Sequence, residues 1–289
     1  MAGLLHKFLS DKSGHFVVIL GTNEIASAVA VQLTREGFRV VLSHDPYPPV
    51  IRRGMAFHDA LFDDRAEVDG VSGRRAESNL EIVQVLSEAG LVAVSSLQLT
   101  DILALRVPDI LVDARIQKHK LTPNLRAISG LSIGLGPNFT ADVNCDIAIE
   151  THPSHTGEML EEGTTRHPDG APRFLGGVGK ERFVYSSRPG VWHTPLDIGA
   201  RVFKNFVIGR LDGLEVHAPM DGFLRGVARD GAHIPEGVKL IEVDPRGRDS
   251  SWTDTDDRGR AIAEATSKAI RSAFWRLRTT AVPVNVTHH

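Results

Sequence analysis

An α/β half, a β-rich half and a terminal helix are the fold class that the sequence predicts, and three observations carry it. Residues 15–45, HFVVILGTNEIASAVAVQLTREGFRVVLSHD, read as strand, helix, strand. Further apolar runs of strand length recur up to residue 149, each closed by polar residues or glycine. From about Glu181 the texture changes to short Val, Ile and Phe runs broken every few residues by Gly or Pro, and a repeat is visible in it.

The chain has 289 residues, with 33 Lys and Arg against 36 Asp and Glu and a formal charge of −3. At roughly 150 residues per domain, that length allows two domains. The pattern divides into an N-terminal arm over 1–14, an α/β domain over 15–180, a β domain over 181–247, a helical segment over 248–280 and a tail over 281–289. A near-neutral balance with no block of like charge predicts no nucleic-acid partner and no membrane surface. No stretch reaches about 18 apolar residues, and the opening MAGLLHKFLSDKSG is interrupted by His6 and Lys7, so neither a span nor a secretory leader is expected. The lone Cys145 has no partner for an internal disulfide and fits a reducing compartment. The expected location is cytoplasmic.

Phe16–Leu20 has the length of a strand, and Ile25, Val29 and Leu33 follow near helical spacing until Gly37 stops the helix and Arg39–Leu42 begins a second strand. The first turn of such a unit is where a doubly wound sheet binds a nucleotide, because the helix N-terminus offers unpaired N–H groups to phosphate. Set against G-x-G-x-x-G, the residues Gly21, Thr22, Asn23, Glu24, Ile25 and Ala26 keep only the first glycine. Thr22 and Ser27 can still donate, while Glu24 would repel a phosphate or accept hydrogen bonds from a ribose or base. A nucleotide site and a plain strand-to-helix turn both stand open here.

Leu91–Val94, Asp109–Val112, Leu131–Ile133 and Ile147–Ile149 continue the strands, with helical stretches such as Leu80–Ala89 between them. Ligands in open α/β sheets bind beyond the carboxyl ends of strands. The polar endings Asp113-Ala-Arg115, Gly134-Leu-Gly136-Pro137-Asn138 and Glu150-Thr-His152 are therefore the candidate site, with Lys118 and Lys120 adding positive charge. Glu150, His152 and His155, with Cys145 and His167 not far off, are zinc-ligand types. Their spacing matches no recognised cage and Pro153 bars a helix that would present both histidines on one face, so no metal is expected. There is no G-x-S-x-G, no Walker lysine loop and no H-E-x-x-H, so catalysis has no signature.

In the β-rich half, an offset of 32 residues brings Gly190-Val-Trp onto Gly222-Phe-Leu, Gly199-Ala-Arg-Val202 onto Gly231-Ala-His-Ile234, and Val207-Ile208 onto Lys239-Leu240. With Ala218-Pro-Met-Asp-Gly222 between the copies, this is the layout of a biotinyl/lipoyl-type barrel-sandwich. Such carriers attach their cofactor to a lysine in the hairpin between the halves. No lysine lies between Lys204 and Lys239, so no covalent biotin or lipoate is expected and the domain reads as a scaffold or docking module. After Asp244-Pro-Arg-Gly247, a polar stretch leads into a helix whose Ala261, Ile262, Ala265, Ala269, Ile270 and Ala273 form a small-residue stripe. That stripe could pack within the monomer or across a homo-oligomer.

Gly134-Leu-Gly-Pro-Asn-Phe-Thr-Ala141, Ile149-Glu-Thr151 with His155 and Gly157, Ala218-Pro-Met-Asp-Gly222 and Asp244-Pro-Arg-Gly247, taken in order, resemble the YqeB-type accessory proteins of the selenium-dependent molybdenum hydroxylase system. These are relatives in role of the XdhC-like maturation factors, and the resemblance runs from about Phe16 to Ala273. It implies a Rossmann-like half joined to a barrel-sandwich half. It also implies an accessory role in maturing a molybdenum hydroxylase, either by binding the molybdenum pterin dinucleotide cofactor or by docking on the apo-enzyme subunit. The family's Gly-Ala-Gly-Asp-Leu-Ala-Ser loop falls on Gly21 to Ser27, where this chain has Thr22, Asn23, Glu24 and Ile25. The cofactor-binding residues so implied are Gly21, Thr22, Glu24, Ser27, Asp113, Arg115, Lys118, Gly134, Gly136, Asn138, Thr140, Glu150 and His155. Two other readings stand beside it: an NAD(P)-dependent oxidoreductase, and a non-catalytic assembly scaffold with a vestigial nucleotide fold.

Overall fold

Seven parallel strands make the centre of one mixed sheet in the computed structural model, which describes residues 2–10, 14–117, 122–170 and 172–280. Lys118 and the 281–289 tail lie outside the described residues. The sheet comprises β1 (Phe16–Leu20), β2 (Arg39–Ser43), β3 (Arg65–Val68), β4 (Val71–Arg75), β5 (Leu91–Ser95), β6 (Ile110–Asp113), β7 (Leu131–Leu135), β8 (Ile147–Ile149) and β9 (Met159–Leu160). Its spatial order is β3-β4-β5-β2-β1-β6-β7-β8-β9, with β3 and β9 antiparallel at the two edges. The chain works outward from β1 on one side and then returns to lay β6 on the other. The strand order thus reverses between β1 and β6, the place where open α/β sheets bind ligands beyond the carboxyl ends of their strands.

The helices are α1 (Ala2–Ser10), α2 (Glu24–Arg35), the single turn α3 (Ala60–Asp63), α4 (Asn79–Leu86), α5 (Leu99–Leu103) and α6 (Asp257–Thr280). Val17 and Ile19 of β1 share a core with α2 and α6, while Phe16, Val18 and Leu20 share the opposite one with Phe8 of α1, Ile82 of α4 and Ile102 of α5. Burial on both faces is why this strand reads FVVIL without alternation. The β3–β4 hairpin, RAEV and VSGRR, has no apolar pattern to announce it and forms by pairing with β5. The small-residue stripe of α6 packs inside the chain against α2: a Cβ added to Gly259 would lie 3.1 Å from that of Ala28. Ser267 Oγ donates to Glu36 at 2.6 Å and Arg271 to the same carboxylate at 3.0 Å.

The β-rich unit holds β10 (Phe183–Tyr185), β11 (Gly190–His193), β12 (Arg201–Val202), β13 (Val207–Leu211), β14 (Leu214–His217), β15 (Gly222–Val227), β16 (His233–Ile234) and β17 (Lys239–Asp244). They form two antiparallel four-stranded sheets, β10-β17-β15-β12 and β14-β13-β11-β16. The pairing obeys the 32-residue repeat: Arg201 pairs with Phe223 while Val191 pairs with His233, and Trp192 pairs with Leu211 while Leu224 pairs with Val243. Each copy thus lends its short strand to the other, and the two close around Trp192, whose indole N–H donates to the Ala228 carbonyl at 3.1 Å. The hairpin between the copies turns through Asp212 and Gly213, both at positive φ (45° and 81°), as a tight two-residue turn requires.

A strap after β2 ties the two halves together. Ile51 enters the core of the β-rich unit and its carbonyl accepts from Val227 N–H at 2.9 Å. Beside it, Arg53 donates to the Val227 carbonyl at 3.0 Å and also holds Asp59 and Asp197.

Candidate functional site

Between the carboxyl edge of the large sheet and the β-rich unit lies a cleft of about 1560 Å³. The turn after β1 (Gly21 to Ile25), the strap after β2, Arg115–Gln117 after β6 and Glu150–Pro153 after β8 line one side. Arg182, Tyr185, Arg225, Lys239, Glu242 and Arg246 line the other, and the start of α6 closes the floor.

The β1–α2 turn caps part of its own helix end. Asn23 Oδ1 accepts from the N–H groups of Ile25 and Ala26 at 2.9 and 3.0 Å, capping the helix where a phosphate would sit. Its Nδ2 donates to the Ala114 carbonyl at 2.7 Å and draws the β1 and β6 loops together. Gly21, at φ +107°, is required by that closeness, since a Cβ there would lie 3.2 Å from the Ala114 oxygen. Ser27 is fully buried and its Oγ accepts from Phe57 N–H at 2.9 Å. Thr22 Oγ lies 3.1 Å from His44 Nδ1 and 3.0 Å from His58 Nδ1. One hydroxyl proton serves one imidazole, so when Thr22 donates to one ring the other must donate to Thr22. Burial, then the neighbouring positive charge of Arg53 and Arg229 together with His44, pushes His58 down to about 3, and burial lowers His44 as well.

Behind Arg115 stands Asp113, almost wholly buried, which accepts from the Arg115 Nε at 3.0 Å, Nη2 at 2.6 Å and backbone N–H at 3.1 Å. Asp45 lies 3.7 Å from the same guanidinium, and these partners hold Arg115 above its ordinary value. Glu150, also buried, accepts from the N–H groups of Thr151, His152 and Arg166, each at 2.7 Å. Its carboxylate is the post around which this loop is wound. Gly134 gives its space to the Phe139 ring, and Gly136 packs against Thr151 and Ile116. The Asn138 carbonyl and Thr140 N–H are both bonded to the Asn144 side chain, and His155 Nε2 lies 3.1 Å from Arg166 Nη2.

Of the thirteen residues expected from the sequence, Gly21, Thr22, Glu24, Arg115 and Glu150 line the cleft. Ser27, Asp113, Gly134, Gly136, Asn138, Thr140 and His155 stand behind it and shape the loops, and Lys118 is outside the described residues. Among the described residues no group of three His, Cys, Asp or Glu is arranged to hold a metal ion. Burial pushes the Cys145 thiol up to about 12, which keeps it protonated near neutral pH.

The cleft's dominant charges were not legible in the sequence. Glu242, fully buried on β17, receives Arg52 through Nε at 2.6 Å and Nη2 at 3.1 Å, and Arg182 through Nε at 3.1 Å. Arg52 also reaches Glu24 at 3.0 Å, and Arg225 reaches Asp256 at 2.9 Å. Arg258 is held below its ordinary value, first by burial and further by the positive charges of Arg52 and Arg173. Eleven Arg and Lys against nine Asp and Glu line the cleft among the described residues, in a chain whose net charge is −3. No local motif marks these residues, because they come from segments spread from α2 to α6.

The chain is similar to YqeB of Escherichia coli (strain K12). The two are 34% identical over 264 residues, 90% of this chain and 48% of that protein, whose full name is "Uncharacterized protein YqeB". The chain thus spans about half the length of this curated relative. No protein-family model matches. A product-bound structure of the ectoine utilization protein EutE (DoeB) from Ruegeria pomeroyi shares 11% identity over 80% of this chain and 85% of its own, with a TM-score of 0.26. A likeness that low carries no fold. Among the described residues no helix is long and apolar enough to cross a membrane.

Proposed function

We propose that the protein is a cytoplasmic accessory factor in the maturation of a molybdenum hydroxylase, and that its cleft takes the enzyme's molybdenum pterin dinucleotide as cargo. The observation that carries the reading is the cleft itself. It lies where the strand order reverses, is rich in cations, and exceeds the roughly 300–1,000 Å³ of pockets for drug-sized ligands. In this reading the large sheet is a Rossmann-like dinucleotide fold and the β-rich unit a barrel-sandwich of biotinyl/lipoyl type. Supporting it are the switch point between β1 and β6 and the exchange of short strands at the 32-residue offset.

The residues fit an anionic dinucleotide unevenly. The β1–α2 turn is a poorer place for a pyrophosphate, since Asn23 takes the N–H groups of Ile25 and Ala26 and Glu24 brings a carboxylate. Arg115, its guanidinium fixed by Asp113, and the cations of the β-rich side would hold it instead. For docking on an apo-enzyme subunit, Phe203, Phe206 and Leu214 are about half exposed around the β13–β14 hairpin, an apolar edge of the kind that partners cover.

Thermal stabilisation by molybdenum pterin cytosine dinucleotide, against NADH, NADPH, AMP and CTP, tests the reading. Preference for the pterin dinucleotide is expected. A second reading, the nicotinamide oxidoreductase, has one observation in its favour, the His44–Thr22–His58 hydrogen-bonded chain, which reaches the cleft lining at Thr22 and can pass a proton. Preference for NADH or NADPH would select it. Silence across the panel with retained binding to a hydroxylase subunit would select a scaffold.

A further inference from the structure

We propose that the phosphates of a nucleotide ligand are held by the wall that the β-rich side presents to the cleft, at Arg173, Lys180 and Arg246, with the base stacked on Phe174. The placement rests on the reading above only in taking this cleft as the ligand site, and it moves the anion away from the glycine turn where the sequence pattern points.

Two sides of one cleft differ in what they have left to give. At the β1–α2 turn Asn23 caps the N–H groups of Ile25 and Ala26, both hydroxyls have partners, and the cleft-lining Glu24 carboxylate is paired with Arg52. Across the cleft, Arg173 and Lys180 are exposed and make no ion pair with a carboxylate among the described residues. The nearby Glu181 carboxylate is occupied with Gly179 N–H at 3.1 Å. Arg246 is anchored on buried Asp244 through Nε and Nη2, which aims its fork and leaves donors over.

These groups form one continuous surface. A Cβ on Gly176 would lie 2.9 Å from Arg246 Cγ, and one on Gly179 would lie 3.3 Å from the Phe174 ring. Lys180 Nζ stands 5.7 Å from the Tyr185 ring, and Lys239 Nζ stands 3.8 Å over the neighbouring Phe183. Phe174 is 72% exposed, the most exposed large apolar side chain among the described residues, and it lines the cleft. An aromatic face bared beside several cations suits a planar base carrying phosphates, since stacking is tolerant of base identity and the cations meet the phosphates.

Isothermal titration of the full chain at low salt with inorganic pyrophosphate, AMP and CTP tests this. Pyrophosphate is expected to bind, and the Arg173→Glu/Lys180→Glu pair to weaken pyrophosphate and both nucleotides about tenfold or more. Phe174→Ala should weaken AMP and CTP while sparing pyrophosphate. Arg173→Gln/Lys180→Gln serves as the milder pair if the charge reversals unfold. No pyrophosphate binding by the wild type, or a greater loss from Thr22→Val than from the wall pair, overturns the placement. Pterin dinucleotide binding that ignores the wall pair sinks the placement and leaves the maturation reading standing. Nucleotides bound at the wall with no preference for the pterin dinucleotide do the reverse.

Discussion

Arg52 and Glu242 meet through two near-parallel hydrogen bonds, at 2.6 and 3.1 Å, across 190 residues of sequence. Arg52 comes from the strap after β2 and Glu242 from β17, so the pair joins the two halves at the floor of the cleft. Burial opposes the charge on each, and each partner outweighs that cost: Arg52 is held above its ordinary value and Glu242 is held down at about 2.

Removing one side of that fork leaves buried charge without a partner. Glu242→Gln, which takes from Arg182 its one carboxylate partner among the described residues and leaves Arg52 and Arg225 with Glu24 and Asp256 alone, is expected to lower unfolding free energy by about 3–5 kcal/mol in a urea titration. A loss below about 1 kcal/mol, the scale of a surface pair, would show that the fork contributes little.

The same carboxylate sets an acid limit. A folded-state value of about 2 against an ordinary 4.5 means the contribution is complete above pH 4.5 and fades as pH falls toward 2. Urea midpoints measured between pH 6 and 3 should fall for the wild type and fall less for Glu242→Gln. Parallel curves would remove Glu242 from the acid response.

His58 acts at milder pH. Its folded value of about 3 lies below the ordinary 6.5, so the unfolded chain takes up a proton that the folded one refuses, and stability declines as pH drops from 6.5. Its share of that slope reaches about 1.4 kcal/mol per pH unit. His58→Gln should flatten the decline between pH 6 and 4, and an unchanged slope would mean that His58 titrates freely.

Glu150 organises the loop after β8. Glu150→Ala removes the acceptor of three backbone N–H groups, each bond to a charged group being worth about 1.5–3 kcal/mol. Faster proteolysis within 151–166 than in the wild type is expected, and an unchanged cleavage pattern would refute the role.

Gly134 is fixed by packing. A Cβ there would lie 2.0 Å from the Phe139 ring, so Gly134→Ala should cost more than the roughly 1–3 kcal/mol of ordinary overpacking. Gly134→Ala with Phe139→Leu should recover part of the loss. If Gly134→Ala alone is as stable as the wild type, the ring is free to move.

The sequence by itself determined much of the frame. Unbroken apolar runs marked β1, β2, β5, β6 and β8 because strands buried on both faces need no polar alternation. The 32-residue repeat announced two copies of one strand–turn–strand unit, and the structure pairs their strands at that offset. The polar strand endings border the cleft, yet several of the residues they singled out do not line it. Asp113, Gly134 and His155 proved to be supports, while Arg52, Arg182, Arg225 and Glu242 carry the cleft's charge. Only the tertiary structure could decide that. A guanidinium in isolation looks the same whether it will face water or a buried carboxylate, and the partner that settles it lies 60 residues away for Arg182 and 190 for Arg52. Local spacing records what a helix or strand needs from its neighbours, whereas charge pairing across a cleft depends on where two distant segments meet.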